Sequence, residues 1–156
     1  MLPPGATTIV SGSNGCSVAV RYALLRPERV KRLVLAWPAT AGDPEVDADI
    51  RGRLQQLGAE STTIDRLLAG GTLRGVSDAE LRGLSIDVAV LPAAPEDRFH
   101  QHKTSRRLCE VLTRGTELPG SPVPMARDFS LHLPSFIDAI EQFAHAPVRS
   151  YGASAR

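Results

Sequence analysis

The chain has 156 residues, a mass of 16.7 kDa and a formal net charge of +1 from 18 basic and 17 acidic side chains. Apolar residues make up 42% and charged residues 22%, which excludes wholesale disorder, and the even charge gives no electrostatic footprint for nucleic acid or an anionic membrane. No run approaches the roughly 18 apolar residues of a membrane span, no secretory pattern opens the chain, and Cys16 and Cys109 lie far apart without metal-ligand spacing, so the expectation is a cytoplasmic globular domain with free thiols and neither cofactor nor metal.

The first apolar run is Thr7-Thr8-Ile9-Val10, short, β-branched and preceded by Pro3-Pro4-Gly5; it predicts a buried strand over 7–10. Small and polar residues follow, and 17–26 then reads as a helix ended by Pro27. Leu33-Val34-Leu35-Ala36-Trp37, stopped by Pro38, predicts a second strand. Strand, turn, helix and strand make a βαβ unit, whose right-handed crossover renders the strands parallel.

From 39 to 85 the chain is more polar and predicts a helical cap-like insertion. Asp43-Pro44 is a helix start, with Ile50, Leu54 and Leu57 at helical spacing. A short helix over 64–68 ends at Gly70-Gly71, and Ser77-Asp78-Ala79-Glu80 is a capping box with Leu81 and Leu84 on the inner side. A third strand is expected over 86–91, a helix over 103–112 with Leu108, Val111 and Leu112 inward, and a weak fourth strand at 116–118. Pro134 is expected to start a last helix over 135–144, with Phe136, Ile137, Ile140 and Phe143 inward. The fold class is therefore α/β, a mostly parallel sheet of about four strands with flanking helices. Residues 1–145 form the domain and 146–156 a flexible tail.

The sharpest feature is Ser11-Gly12-Ser13-Asn14-Gly15 between the first strand and helix. A nucleophile at Ser13 would sit on a tight strand-to-helix turn, flanked by residues small enough for the chain to double back. The helix N-terminus favours negative charge there, and the backbone N–H of Asn14 would serve an oxyanion. Such a turn can also merely connect, or hold a phosphate, although no G-x-G-x-x-G or Walker pattern occurs. Cys16, one residue into the helix, fits a small buried residue, and Trp37 fits either core or a pocket wall.

These residues resemble the α/β-hydrolase superfamily. Ile9 to Gly15, then Ala19, Ala23 and Arg26-Pro27-Glu28-Arg29-Val30-Lys31-Arg32-Leu33-Val34-Leu35, look like its nucleophile elbow, following helix and next strand. The G-x-S-x-G pattern has Ser11 at its first position. The likeness spans about 6–146. It implies Ser13 as nucleophile and Asp97 as acid, with Glu96 the adjacent alternative, on an ester or related acyl bond of a small, neutral molecule. The family's chain order requires a histidine after Asp97. His100 and His102 lie too close to Asp97 to fit the family layout and His145 ends the last helix, so His132 is the expected base. Arg127 and Asp128 stand where the family usually places it, and the alternative is that the base is missing. The resemblance also implies a preceding half, carrying a loop with the second oxyanion donor. The chain is accordingly expected to be the C-terminal half of a hydrolase, a truncated reading frame from an internal Met1 or a diverged short protein. It would be an esterase-like enzyme, or an inactive remnant pairing as a homodimer through the open edge of the strand over 7–10.

Overall fold

The structure, a computed structural model, describes residues 7–147; the expected tail beyond 147 and the first six residues lie outside them. Strands β1 (Thr7–Ser13), β2 (Val30–Pro38), β3 (Asp87–Leu91) and β4 (Gly115–Glu117) form one sheet in the order β1-β2-β3-β4, every pair parallel. Between and after them run α1 (Gly15–Leu25), α2 (Pro44–Gln56), α3 (Ser61–Leu68), α4 (Asp78–Arg82), α5 (His102–Val111) and α6 (Phe129–His145). Each crossover steps one strand in the same direction, so right-handed connections bring α1 and α5 to the same face.

That face holds the main core. Cys16, Val20 and Ala23 of α1 and Leu108 and Val111 of α5 pack with Leu33 and Leu35 of β2 and Val88 and Val90 of β3. β2 and β3 are buried on both faces, which is why their sequences are continuous apolar runs. Part of the expected cap belongs to this core: Leu73, Val76, Leu81 and Leu84 join the same cluster. Gly70 makes their approach possible. Its φ is +94°, and a Cβ there would fall 2.4 Å from the Leu73 carbonyl oxygen. Within the expected cap, α2 begins as its sequence indicates, Asp43 accepting hydrogen bonds from the N–H groups of Glu45 and Val46, and α4 carries the full Ser77–Glu80 capping box. Leu57 is exposed, and Val46 is the buried anchor of α2.

Several elements exceed their expected bounds, among them β2, which takes in 30–32 and Pro38, and α3, which starts at Ser61; β1 and α6 do so with most consequence. β1 continues through Ser13, because Ser11 and Gly12 still pair with Leu35 and Ala36 of β2, and ladder bonds need no apolar side chain. α6 starts at Phe129, with Pro134 inside it. The proline leaves the Ser130 carbonyl without its helical donor, but Ser130 is exposed, so its carbonyl is open to solvent. Ser135 Oγ donates to the His132 carbonyl at 2.9 Å, supporting the same turn. Phe136, Ile140 and Phe143 are half-buried, whereas Ile137, expected inward, is exposed.

Candidate active site

Ser13 ends β1 and Asn14 caps α1, so the chain reverses between them within one residue. Ser13 has φ +52°. A non-glycine residue adopts this left-handed conformation at a cost of order 1–3 kcal/mol and persists there only where its surroundings enforce it. Ser11 and Gly15 face each other across the turn: a Cβ on Gly15 would meet the Ser11 Cβ at 3.9 Å. With Gly15 bare, a serine is tolerated where the pattern has glycine, and its Oγ donates to the Val34 carbonyl at 3.4 Å.

The loop after β3 supplies the partners. Asp97 Oδ1 accepts the backbone N–H groups of Phe99 (2.7 Å) and His100 (3.1 Å), closing a tight turn over 97–100. The turn folds the His100 ring back onto the carboxylate, with Nδ1 2.9 Å from Asp97 Oδ2. The opposite nitrogen, Nε2, lies 3.0 Å from Ser13 Oγ, across 87 residues of sequence. Serine hydroxyl, imidazole and carboxylate thus stand in one line. Burial pushes the Asp97 carboxyl up, but the hydrogen bonds from the His100 ring and the Phe99 N–H outweigh it and hold the group below its ordinary value.

Of the expected residues, Ser13, Asp97 and Asn14 meet at this place and His132 does not. His132 lies on exposed α6 with Nε2 3.6 Å from Asp128, four residues earlier at the cap of the helix. His100 occupies the position assigned to it. Proximity in sequence argued against His100, yet a three-residue turn suffices because one carboxylate both closes the turn and receives the ring. The order serine, acid, histidine along the chain is kept. The signal within the sequence was Asp97 followed by His100 at turn spacing, in the loop after a buried strand. Glu96 is engaged elsewhere, accepting the His102 N–H at 2.7 Å at the start of α5. The His102 ring meets the Ala93 carbonyl and that of His145 the Glu141 carbonyl. Cys16 is fully buried, and desolvation pushes its thiol up to about 12, so it offers no thiolate to compete with Ser13.

Two clefts open beside Ser13. The larger, about 600 Å³, is lined by Gly12, Trp37, Phe99, Val123 and Met125. Trp37 is held there by its Nε1, which donates to the Ser121 carbonyl at 2.8 Å, and by stacking on Phe136 with centroids 5.0 Å apart. The smaller, about 270 Å³, is lined by Asn14, Val46, Ile50, Arg53 and Arg74, with Ser13 and His100 at the junction. Among the described residues no cluster of His, Cys, Asp and Glu could hold a metal ion, and no helix is long and apolar enough to cross a membrane.

A parallel sheet whose first described strand ends in a left-handed serine at a helix N-terminus places the chain in the α/β class. Comparison with solved structures specifies the architecture. The chain is similar to the candidate non-heme bromoperoxidase BpoC from Mycobacterium tuberculosis H37Rv, at 14% identity with a TM-score of 0.62, covering 94% of this chain and 69% of that one. It is also similar to the meta-cleavage product hydrolase CumD from Pseudomonas fluorescens IP01 (18% identity, TM-score 0.58, 92% of this chain and 66% of that one). A third is an α/β hydrolase from Sphaerobacter thermophilus DSM 20745 (12% identity, TM-score 0.56, 88% and 68%). The chain has the α/β-hydrolase fold and spans about two thirds of the length of these structures. No protein-family model matches the chain, and no curated protein is similar to it in sequence.

Proposed function

We propose that the chain is a serine hydrolase of an ester or related acyl bond in a small molecule, with Ser13 as nucleophile, His100 as base and Asp97 as the group that orients the base. The observation that carries this reading is the line Ser13 Oγ–His100–Asp97, at 3.0 and 2.9 Å, on a residue with φ +52°. Nε2 takes the hydroxyl proton as Oγ attacks the carbonyl carbon, and Nδ1–H donates to Asp97, which stabilises the imidazolium that forms. The imidazolium then protonates the leaving group. Water repeats the cycle on the acyl-serine and regenerates Oγ–H. The Asn14 N–H supplies one oxyanion donor at the head of α1. The shared fold supports the reading, CumD and the Sphaerobacter thermophilus protein being hydrolases by name, whereas BpoC is named a bromoperoxidase.

The test is covalent labelling by a fluorophosphonate probe. Ser13→Ala and His100→Ala abolish labelling of the folded chain, and His132→Ala leaves it intact. Labelling that survives His100→Ala and disappears in His132→Ala sinks the assignment of the base. A second reading, an inactive hydrolase-like chain acting through a homodimer or a partner, draws on the edge position of β1 in the described sheet and on Val10, 46% exposed there. A folded, dimeric chain that takes no label favours it.

A further inference from the structure

Two non-glycine residues among those described have left-handed backbone, and they stand side by side: Ser13 at the end of β1 and Trp37, φ +46°, at the end of β2. Gly12 pairs with Ala36 and Ser13 with Pro38, so Trp37 is the extra residue of a bulge opposite the nucleophile turn. A bulge bends its strand and re-aims the side chain it carries, and strained backbone persists only where the surroundings enforce it. Here the surroundings grip the ring. Phe136 stacks on it, Nε1 is spent on the Ser121 carbonyl, and a Cβ on Gly12 would fall 3.3 Å from Trp37 Cε3. Gly12, the residue before the nucleophile, thus leaves the room that the indole fills. Trp37 is 7% exposed and lines the larger cleft with Phe99, Val123 and Met125. The one polar atom of its ring is engaged within the protein, so the indole offers the cleft an apolar surface alone. The charged groups bordering this cleft are already matched, Asp97 by His100 and Arg98 by Asp49 at 2.8 Å. An ionic arm placed there would lose hydration without a free counter-charge to meet it.

We propose that Trp37 is the specificity-determining residue of the site: its bulge aims the indole toward the larger cleft beside Ser13, where it receives an uncharged, ring-sized apolar arm of the substrate. The inference rests on the hydrolase reading above and names its substrate class. A volume of about 600 Å³ admits an aryl or cycloalkyl group with its linker. Met125, 94% exposed on the loop before α6, supplies the outer wall, and its unbranched thioether adapts to rings of different size.

The test separates binding from turnover. Trp37 is the chain's only tryptophan, so its fluorescence reports occupancy of the cleft without any reaction. In the Ser13→Ala chain, methyl 3-phenylpropanoate shifts that fluorescence saturably and binds at least about tenfold more tightly than methyl butanoate, the ratio expected of burying one ring. In the unmutated chain, kcat/KM for methyl 3-phenylpropanoate over methyl butanoate, or for 2-phenylethyl acetate over propyl acetate, shows a similar factor. Whichever pair shows it tells which side of the scissile bond the cleft takes. Trp37→Phe deepens the cleft and shifts the preference toward methyl 3-(2-naphthyl)propanoate, a change of ratio that a merely structural role does not produce. Met125→Glu, at a solvated position that leaves the core untouched, narrows the phenyl preference several-fold even if the Trp37 variant fails to fold. Phenyl esters that bind no better than their short counterparts overturn the proposal. So does a Trp37→Phe chain that loses all esters in proportion, or a Met125→Glu chain with an unchanged ratio. Fluorophosphonate labelling without a ring preference removes the subsite and keeps the hydrolase. Ring binding reported by Trp37 without labelling or hydrolysis does the reverse.

Discussion

Asp97 performs three tasks with one carboxylate: it closes the turn over 97–100, receives the His100 ring, and in the proposed reaction fixes which imidazole nitrogen carries the proton. Asp97→Asn keeps the shape but replaces an acceptor-only group with an amide that can present a donor to Nδ1. Labelling of Ser13 should then slow by a factor on the order of 10³ to 10⁴, as loss of the correct tautomer does in such triads. The same substitution has a pH signature in stability. The folded-state value of Asp97 lies below the ordinary one of about 3.9. Its charged form therefore stabilises the fold fully above about pH 4, and that contribution fades as pH falls through the lower, folded-state value. The difference in urea midpoint between the chain and Asp97→Asn is expected to narrow as pH falls below about 4. A difference that grows as pH falls below about 4 contradicts the assignment.

At the scale of elements, α6 is the helix least anchored by burial, with every residue at least partly exposed. One side chain ties its end to the sheet. Arg32 of β2, 2% exposed, donates from Nη1 to the Ala144 carbonyl at 2.7 Å and from Nη2 to the Ala146 carbonyl, a cation at a helix C-terminus. Arg32→Met keeps the stem's packing and loses these bonds, while Asp87 remains paired with Arg114 at 2.8 Å. A loss of about 1.5–3 kcal/mol in urea denaturation is expected, with faster proteolysis within α6. Phe129 and Phe136 of α6 pack against Trp37, so the loosened helix also disturbs the apolar cleft. What the sequence disclosed at this scale was what local chemistry controls: the apolar runs of β2 and β3, the Asp43 and Ser77 caps, and the small residues around Ser13. Pro134 misled because an exposed helix tolerates a proline that a buried one does not. Leu73 and Val76 read as cap because the core cluster they join, with members in α1 and β2, lies far from them in sequence. His100 was passed over because its reach to Ser13 depends on a turn geometry and a strand register, neither of which is written in adjacent residues.

The whole site hangs on a junction between distant parts of the chain, and Thr40, fully buried just after β2, is its centre. Its N–H donates to the Phe99 carbonyl at 2.7 Å, its Oγ1 donates to the Arg98 carbonyl at 3.2 Å and accepts the Gln101 N–H at 3.0 Å, and its own carbonyl receives Arg74. One residue thus joins the loop after β2, the turn bearing Asp97 and His100, and the arginine at the smaller cleft. The Arg98–Asp49 pair and the Arg53–Phe99 contact tie the same turn to α2, so cutting the Thr40 bonds is expected to loosen the turn without releasing it. Thr40→Val preserves shape and removes the hydroxyl, leaving the Gln101 N–H without its acceptor at a cost of about 1–3 kcal/mol. Fluorophosphonate labelling should slow by about tenfold, since small displacements of a base from its nucleophile are expensive. Thr40→Ser retains the hydroxyl and should recover most of the labelling rate. If Thr40→Val destabilises the chain but leaves labelling intact, the turn over 97–100 is rigid on its own account.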